Sequence, residues 1–436
     1  MSQLRTLLSV SIILLNGVFT WGQNSPLQQG LEHLEAGRFS DALVAFARFK
    51  EENPTDVRGY IHSGIAMIRA GQLNDASIEL NQALQLGTSS AGEGLQLAEA
   101  LIELNYPGFA AQVLEPLERQ GEITDRGLWV LADAYFRQRR FDETIDALQR
   151  LEARGTFNRE EIELLRGSTY LMLGKLEDAM VAFEQVAQSN PKSAAAFHGL
   201  AEATYRGNNP EAAYEMSTRA VALEPENPIY VHLFGVVAHA NGKEDEAVRY
   251  LVRATELDPD SQRAFFDLGN LYRSLGDRDS AQMALVRSQE LLGELRKKQE
   301  IEQAISAGEE ALQRSDLEAA ARSFTRVIEL DPNNWAAHNR LTKIHFARNQ
   351  ETEAIKHAEA LLRIDPESSE ANFIMAAHWS ARREFTKALE FAEKSKQLRP
   401  GDPAARKLLG DIYFATGQKL KAIEEFGAAS RLNPIK

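Results

Sequence analysis

The sequence predicts an all-α fold, a solenoid of about twelve short repeats, and three observations carry that reading. First, "LRGSTYLMLGKLEDAMVAFEQVAQSNP" (165–191), "LFGVVAHANGKEDEAVRYLVRATELDP" (233–259) and "LLGDIYFATGQKLKAIEEFGAASRLNP" (408–434) place glycine, alanine and proline at the same offsets. The spacing of these offsets is 34 residues and extends along the chain. Second, the eighth position of each unit is Gly or Ala in eleven cases, with Thr342 the exception, and the twentieth is Ala in eleven, with Thr144 the exception. Third, Gly recurs at position 15 (Gly37, Gly71, Gly174, Gly242, Gly276, Gly417) and Pro at position 32 in eight units.

Each rule has a physical cause. Small side chains at positions 8 and 20 suit helices that cross closely. Glycine at position 15 suits a left-handed turn at the end of a first helix. Proline at position 32 stops a second helix because it cannot continue the hydrogen-bond ladder.

The pattern resembles the tetratricopeptide repeat, a helix–turn–helix unit. The resemblance implies an α-α superhelix in which first helices line a concave groove and second helices form the convex back. One unit cannot bury its own apolar faces, so stacked neighbours must build the core.

Taken in order, residues 1–22 read as an export signal: Arg5 is basic, Leu7 to Leu15 is largely apolar, and Thr20 and Gly22 are small. Cleavage near Gly22 is expected. The alternative is an N-terminal membrane anchor, since Leu7 to Val18 is only marginally short for a span.

Residues 23–295 accommodate eight repeats, with Arg159 as one extra residue between the fourth and fifth. Repeats 2 to 4 lack the proline (Thr88, Glu122, Thr156) and are expected to be the most irregular part. Residues 296–300 are an insertion. With no proline and mostly good helix formers, it predicts one helix from about Asp279 to Gln313. Five added residues turn the following face by about 140°, so the groove of the last section would point away from the first.

Residues 301–436 hold four further repeats, and the last ends without a solvating helix. Ala429 and Leu432 are therefore expected to be partly exposed, so that this end either frays or associates with something. The repeats leave no residues over for another domain.

Composition narrows the function. The chain carries a formal charge of -14 and no block of Lys or Arg, which disfavours nucleic acid. Cysteine is absent, which removes disulfides and thiolate chemistry. No further apolar run reaches membrane length, and no phosphate loop, His-Glu-x-x-His or Gly-x-Ser-x-Gly motif occurs. His232 and His239 lie about 10 Å apart on one helix, too far to share an ion. No catalytic residue, metal site or cofactor is expected.

The resemblance instead implies a groove lined by positions 2, 5, 9, 12 and 13 of each first helix. Carried over, these give Arg126, Trp129, Asp133, Phe136 and Arg137 in repeat 4, and His198, Glu202, Tyr205 and Arg206 in repeat 6. Repeat 7 gives His232 and His239; repeat 8 gives Arg263, Phe266, Asn270 and Arg273. Aromatic and Arg side chains supply much of the energy at interfaces, and Asn270 with Arg273 suits a peptide backbone or carboxylate.

The expected function is a non-enzymatic scaffold for protein or peptide partners outside the cytoplasm, periplasmic or secreted. The alternative is an accessory factor for envelope assembly or export, of pili, polysaccharide or a secretion machinery. A third reading, glycan binding through the Trp- and Tyr-bearing groove, predicts retention on a glycan array.

Overall fold

The computed structural model describes residues 25–432; residues 1–22, expected to be an export signal, and residues 433–436 lie outside the described residues. Every regular element among the described residues is an α-helix. Each repeat forms an antiparallel pair, as in Ala194–Arg206 with Pro210–Leu223, and the pairs stack on one another in chain order.

Local chemistry punctuates the pairs at fixed positions. The last residue of a repeat caps the next first helix: the side chains of Asp56, Ser90, Thr124, Asn158, Asn227 and Asn334 each accept a hydrogen bond from a backbone N–H two or three residues on. The turn inside each pair passes through a left-handed residue at position 15 whether or not that residue is glycine. Asn105, Arg139, Asn208, Ser315, Asn349 and Arg383 have φ between 57° and 62° there. The turn is therefore imposed by the helix pair, and glycine only relieves its cost.

Packing explains positions 8 and 20. A Cβ added to Gly30, Gly64, Gly167, Gly235, Gly308 or Gly410 would lie 2.3–2.8 Å from the side chain at position 24 of the same repeat: Phe46, Leu80, Phe183, Leu251, Phe324 or Phe426. The position-20 alanines are buried, Ala42, Ala76, Ala213 and Ala354 completely. The two exceptions satisfy their hydroxyls locally. Thr144 donates to the Arg140 carbonyl at 2.9 Å, and Thr342 to the His338 carbonyl at 2.8 Å.

Repeats 2 to 4 are as regular as the rest. Their second helices, Leu73–Leu86, Pro107–Gln120 and Phe141–Arg154, each have 14 residues, like those that end at proline. Gly87, Gly121 and Gly155, all with positive φ, end these helices one residue before the missing proline. Helix termination thus has two interchangeable solutions here. Arg159 is absorbed as the first residue of a 15-residue helix, Arg159–Leu173, with Asn158 as its cap.

The insertion is helical, as expected. One helix of 36 residues, Arg278–Gln313, serves as the second helix of repeat 8 and the first of repeat 9. Residues 293–300 within it are all exposed, and a Cβ on Gly293 would touch nothing. Buried packing on one side ends at Leu291 and the next core begins at Ile301. A solvated rod therefore joins two separately cored sections.

The C-terminal end differs from expectation. Ala429 is half-buried, but Leu432 is buried, and the last helix, Lys419–Leu432, packs against Phe39–Glu52 of repeat 1. The chain covers its own uncapped repeat, because the four repeats beyond the rod return to the second helices of repeats 1 and 2. The outward face of the last helix still presents Leu420 and Ile423.

Candidate functional site

The face of the first helices in repeats 6 to 8 carries a continuous line of interacting side chains. His198 on Ala194–Arg206 lies against Tyr230 on Pro228–Ala240, ring centroids 4.7 Å apart. His232, on the same helix as Tyr230, meets Asp267 of the next repeat, Nε2 to Oδ2 at 2.8 Å, and Arg263 approaches the same carboxylate at 4.0 Å. Position 5 of one first helix thus reaches the next in both cases, meeting position 3 at Tyr230 and position 6 at Asp267.

Burial, with the neighbouring His232 adding to it, pushes His198 down to about 4, so its ring is neutral at physiological pH. Its Nδ1 is buried without a partner. Burial likewise pushes Tyr230 up to about 12.

Two apolar side chains break this polar line. Phe266 is 46% exposed and Ile229, one repeat earlier, is 61% exposed. Arg263 is exposed beside them on Gln262–Leu275, and Arg273 is held by Asn270, a guanidinium nitrogen donating to Oδ1 at 2.9 Å. Exposed apolar side chains near Arg263 and Arg273 suit a partner with apolar and acidic groups close together.

The remaining groove residues have other roles. Trp129 stacks on Phe157 at 5.2 Å and packs against the core of repeats 2 to 5, and Phe136 lies on Phe141 at 6.0 Å. Arg126 pairs with Glu99 and Arg137 with Asp133, each at 2.8 Å. Tyr205 is half-buried, and the Arg206 guanidinium lies 3.6 Å from the Glu202 carboxylate. His239 turns away to Glu244 in the second helix of its own repeat, at 2.8 Å.

The structure therefore brings His198 close enough to His232 for the two rings to interact electrostatically, and sets Arg263, Phe266, Asn270 and Arg273 on the next first helix. The repeat 4 residues and His239 form local pairs instead. Ile229, Tyr230 and Asp267 complete the surface. Ile229 occupies position 2 and was legible as an apolar residue where solvent is expected; Tyr230 and Asp267 lie one position outside the groove pattern and carried no such signal.

Among the described residues, no group of three or more His, Asp or Glu side chains is placed to hold a metal ion. No described helix is long and apolar enough to cross a membrane.

Comparison with known proteins agrees with the geometry. Three profiles described as tetratricopeptide repeat match residues 170–233, then 232–288 and 305–369, and then 408–436. No curated protein matches the chain in sequence. Among solved structures, the human IFIT1 dimer with PPP-AAAA is similar at 15% identity, over 93% of this chain and 89% of that one, with a TM-score of 0.38. The APC/C hetero-tetramer Cut9-Hcn1 is similar at 14% identity, over 94% and 87%, with a TM-score of 0.36. MamA MSR-1 C2 is similar at 18% identity, over 37% of this chain and 93% of that one, with a TM-score of 0.32. With matched profiles from residue 170 onward and the same helix pair repeated throughout the described chain, this protein belongs to the tetratricopeptide repeat family.

Proposed function

We propose that this chain is a non-enzymatic scaffold that binds an extended peptide or protein segment across the first-helix face of repeats 6 to 8. Repeat scaffolds of this family serve in protein binding. The observation that supports this surface is the exposure of Phe266, between Arg263 and Arg273 on one helix, and of Ile229 on the first helix before it. Large apolar side chains at adjacent, rigid positions lose little entropy on binding. The guanidinium groups add charge-assisted hydrogen bonds to carboxylates. Binding to an array of peptides that combine an aromatic or aliphatic residue with acidic neighbours tests this. Phe266→Ala/Arg273→Ala should weaken the best binder at least about tenfold, the loss expected of two interface anchors. Equal binding by both forms overturns the assignment.

The N-terminal pattern of Arg5, an apolar run and small residues at Thr20 and Gly22 supports action outside the cytoplasm. On that reading, the alternative role is an accessory factor for envelope assembly or export. Fractionation of cells expressing the full chain, compared with a form lacking residues 1–22, tests the location. Identical distribution of the two forms removes it.

A further inference from the structure

Glu79, on the second helix of repeat 2, is buried and serves two cations. Lys50 of repeat 1 donates to it at 2.8 Å, and Arg399, 320 residues away, at 3.3 Å. A second crossing lies beside the first: Arg406 donates to Glu51 at 2.6 Å while also holding Glu425 at 3.2 Å. Ile78 packs into a small cluster with Trp335, Leu361 and Ala371. Gly401, in the loop between repeats 11 and 12, lies over the helix of repeat 1, where an added Cβ would be 3.5 Å from the Ala47 carbonyl oxygen.

This junction is unlike the others in the molecule. The other main helix contacts join helices near one another in the chain and bury mostly aliphatic side chains. Here, beside one small apolar cluster, buried charges cross the contact, and these hold only while each has its partner. Polar interfaces between separately cored sections allow relative motion. The remaining link between the sections, residues 293–300, is exposed helix with no core against it.

We propose that the contact of repeats 1 and 2 with repeats 10 to 12 is a reversible latch that fixes the curvature of the solenoid. With the latch closed, the chain forms a loop tied at both ends, and the faces of repeats 3 to 9 are held at one curvature. Released, the C-terminal repeats swing on the exposed rod. A partner that binds the two curvatures unequally shifts the latch by the ratio of its affinities.

Acidity acts on the latch in two directions. Asp75 faces Arg399, Asp365 and Glu370 across the junction and Glu79 on its own helix, and burial pushes its carboxyl up to about 6. Closure is therefore opposed increasingly as pH rises from the ordinary carboxylate range through about 6. Burial disfavours the charged form of Glu79, but Lys50 and Arg399 outweigh this and hold it below the usual carboxylate range. Its support for closure is lost as pH falls through that lowered value. The latch is tightest in mildly acidic solution.

The chain has no cysteine, so an introduced pair reports closure alone. A Cβ at Gly401 would lie 3.9 Å from that of Lys50, within disulfide range. In full-length Lys50→Cys/Gly401→Cys, Glu79 keeps Arg399, and mild oxidation should give an intramolecular disulfide. Adding Glu51→Gln and Arg399→Gln should slow its formation at least about tenfold, the factor for losing two charge-assisted contacts. Without the cysteines, Glu51→Gln/Arg399→Gln should raise the X-ray scattering radius of gyration at unchanged helical circular dichroism. The disulfide formed in that background should restore the wild-type radius. Absence of the intramolecular disulfide in folded protein, a rate unaffected by the two substitutions, or a radius that does not change overturns the latch.

Discussion

The Phe183 ring stands against both Gly199 and Gly167: a Cβ added to Gly199 would lie 2.5 Å from it, and one added to Gly167 2.7 Å. One aromatic ring thus closes both the pair within repeat 5 and the step to repeat 6. Gly199→Ala forces the ring or the helices apart and should destabilise the protein by about 1–3 kcal/mol, the usual cost of overpacking. The shift of the denaturation midpoint measures it. A midpoint equal to wild type would show that the junction is looser than its geometry.

Arg383 and Arg139 hold φ of 61° and 62° at the turn where other repeats use glycine. A left-handed conformation costs a side-chain-bearing residue about 1–2 kcal/mol, and glycine returns part of that gain as unfolded-chain entropy. Arg383→Gly should therefore stabilise by roughly 0.5–1 kcal/mol. Thermal unfolding of the single variant decides it; a lower midpoint contradicts the strain argument.

Gly293 is an exposed mid-helix glycine with nothing near it. Gly293→Ala should stabilise the long helix by about 1 kcal/mol. Hydrogen exchange at residues 290–300 is the direct readout, and it should slow. Lys297→Pro should do the opposite, breaking the rod and raising the radius of gyration. An unchanged exchange profile in both variants would mean the rod is not helical in solution.

His62, His198 and His357 are each pushed down to about 4, mainly by burial, with Arg58 adding to it at His62, His232 at His198, and His338 and His345 at His357. The unfolded chain takes up these protons near the ordinary histidine value of about 6.5. Stability from these sites is thus complete above about 6.5 and falls as pH drops toward 4, by up to roughly 3 kcal/mol each for the buried His62 and His198 and by less for the half-exposed His357. His62 stacks on Phe46 at 5.7 Å, so His62→Leu tests one site. The variant should lose a smaller fraction of its stability between pH 7 and pH 4.5 than the wild type. Equal losses would place the pH dependence elsewhere.

Much of the fold was legible because its determinants are local. A left-handed turn at 15 and small residues at 8 and 20 act over a few residues and recur in every helix pair, and a capping side chain at position 34 recurs in most, Ser193 and Leu295 being exceptions. The long helix Arg278–Gln313 was legible for the same reason, since an insertion without proline or a cap continues what precedes it. The regularity of repeats 2 to 4 was missed because Gly87, Gly121 and Gly155 stop a helix as proline does, one position earlier.

The groove was legible only as a set of positions. Position numbers place a residue on a helix face, but whether it meets solvent depends on the neighbouring repeat: Trp129 turns into the core while Phe266 stays exposed. Tertiary structure alone decided that His232 reaches Asp267, and that Glu79 binds Arg399. The sequence by itself determined how each unit folds, because that follows from short-range sterics and hydrogen bonding. Where the last repeats return to the first follows from small rotations accumulated over many units and redirected by the rod. No single residue encodes that sum.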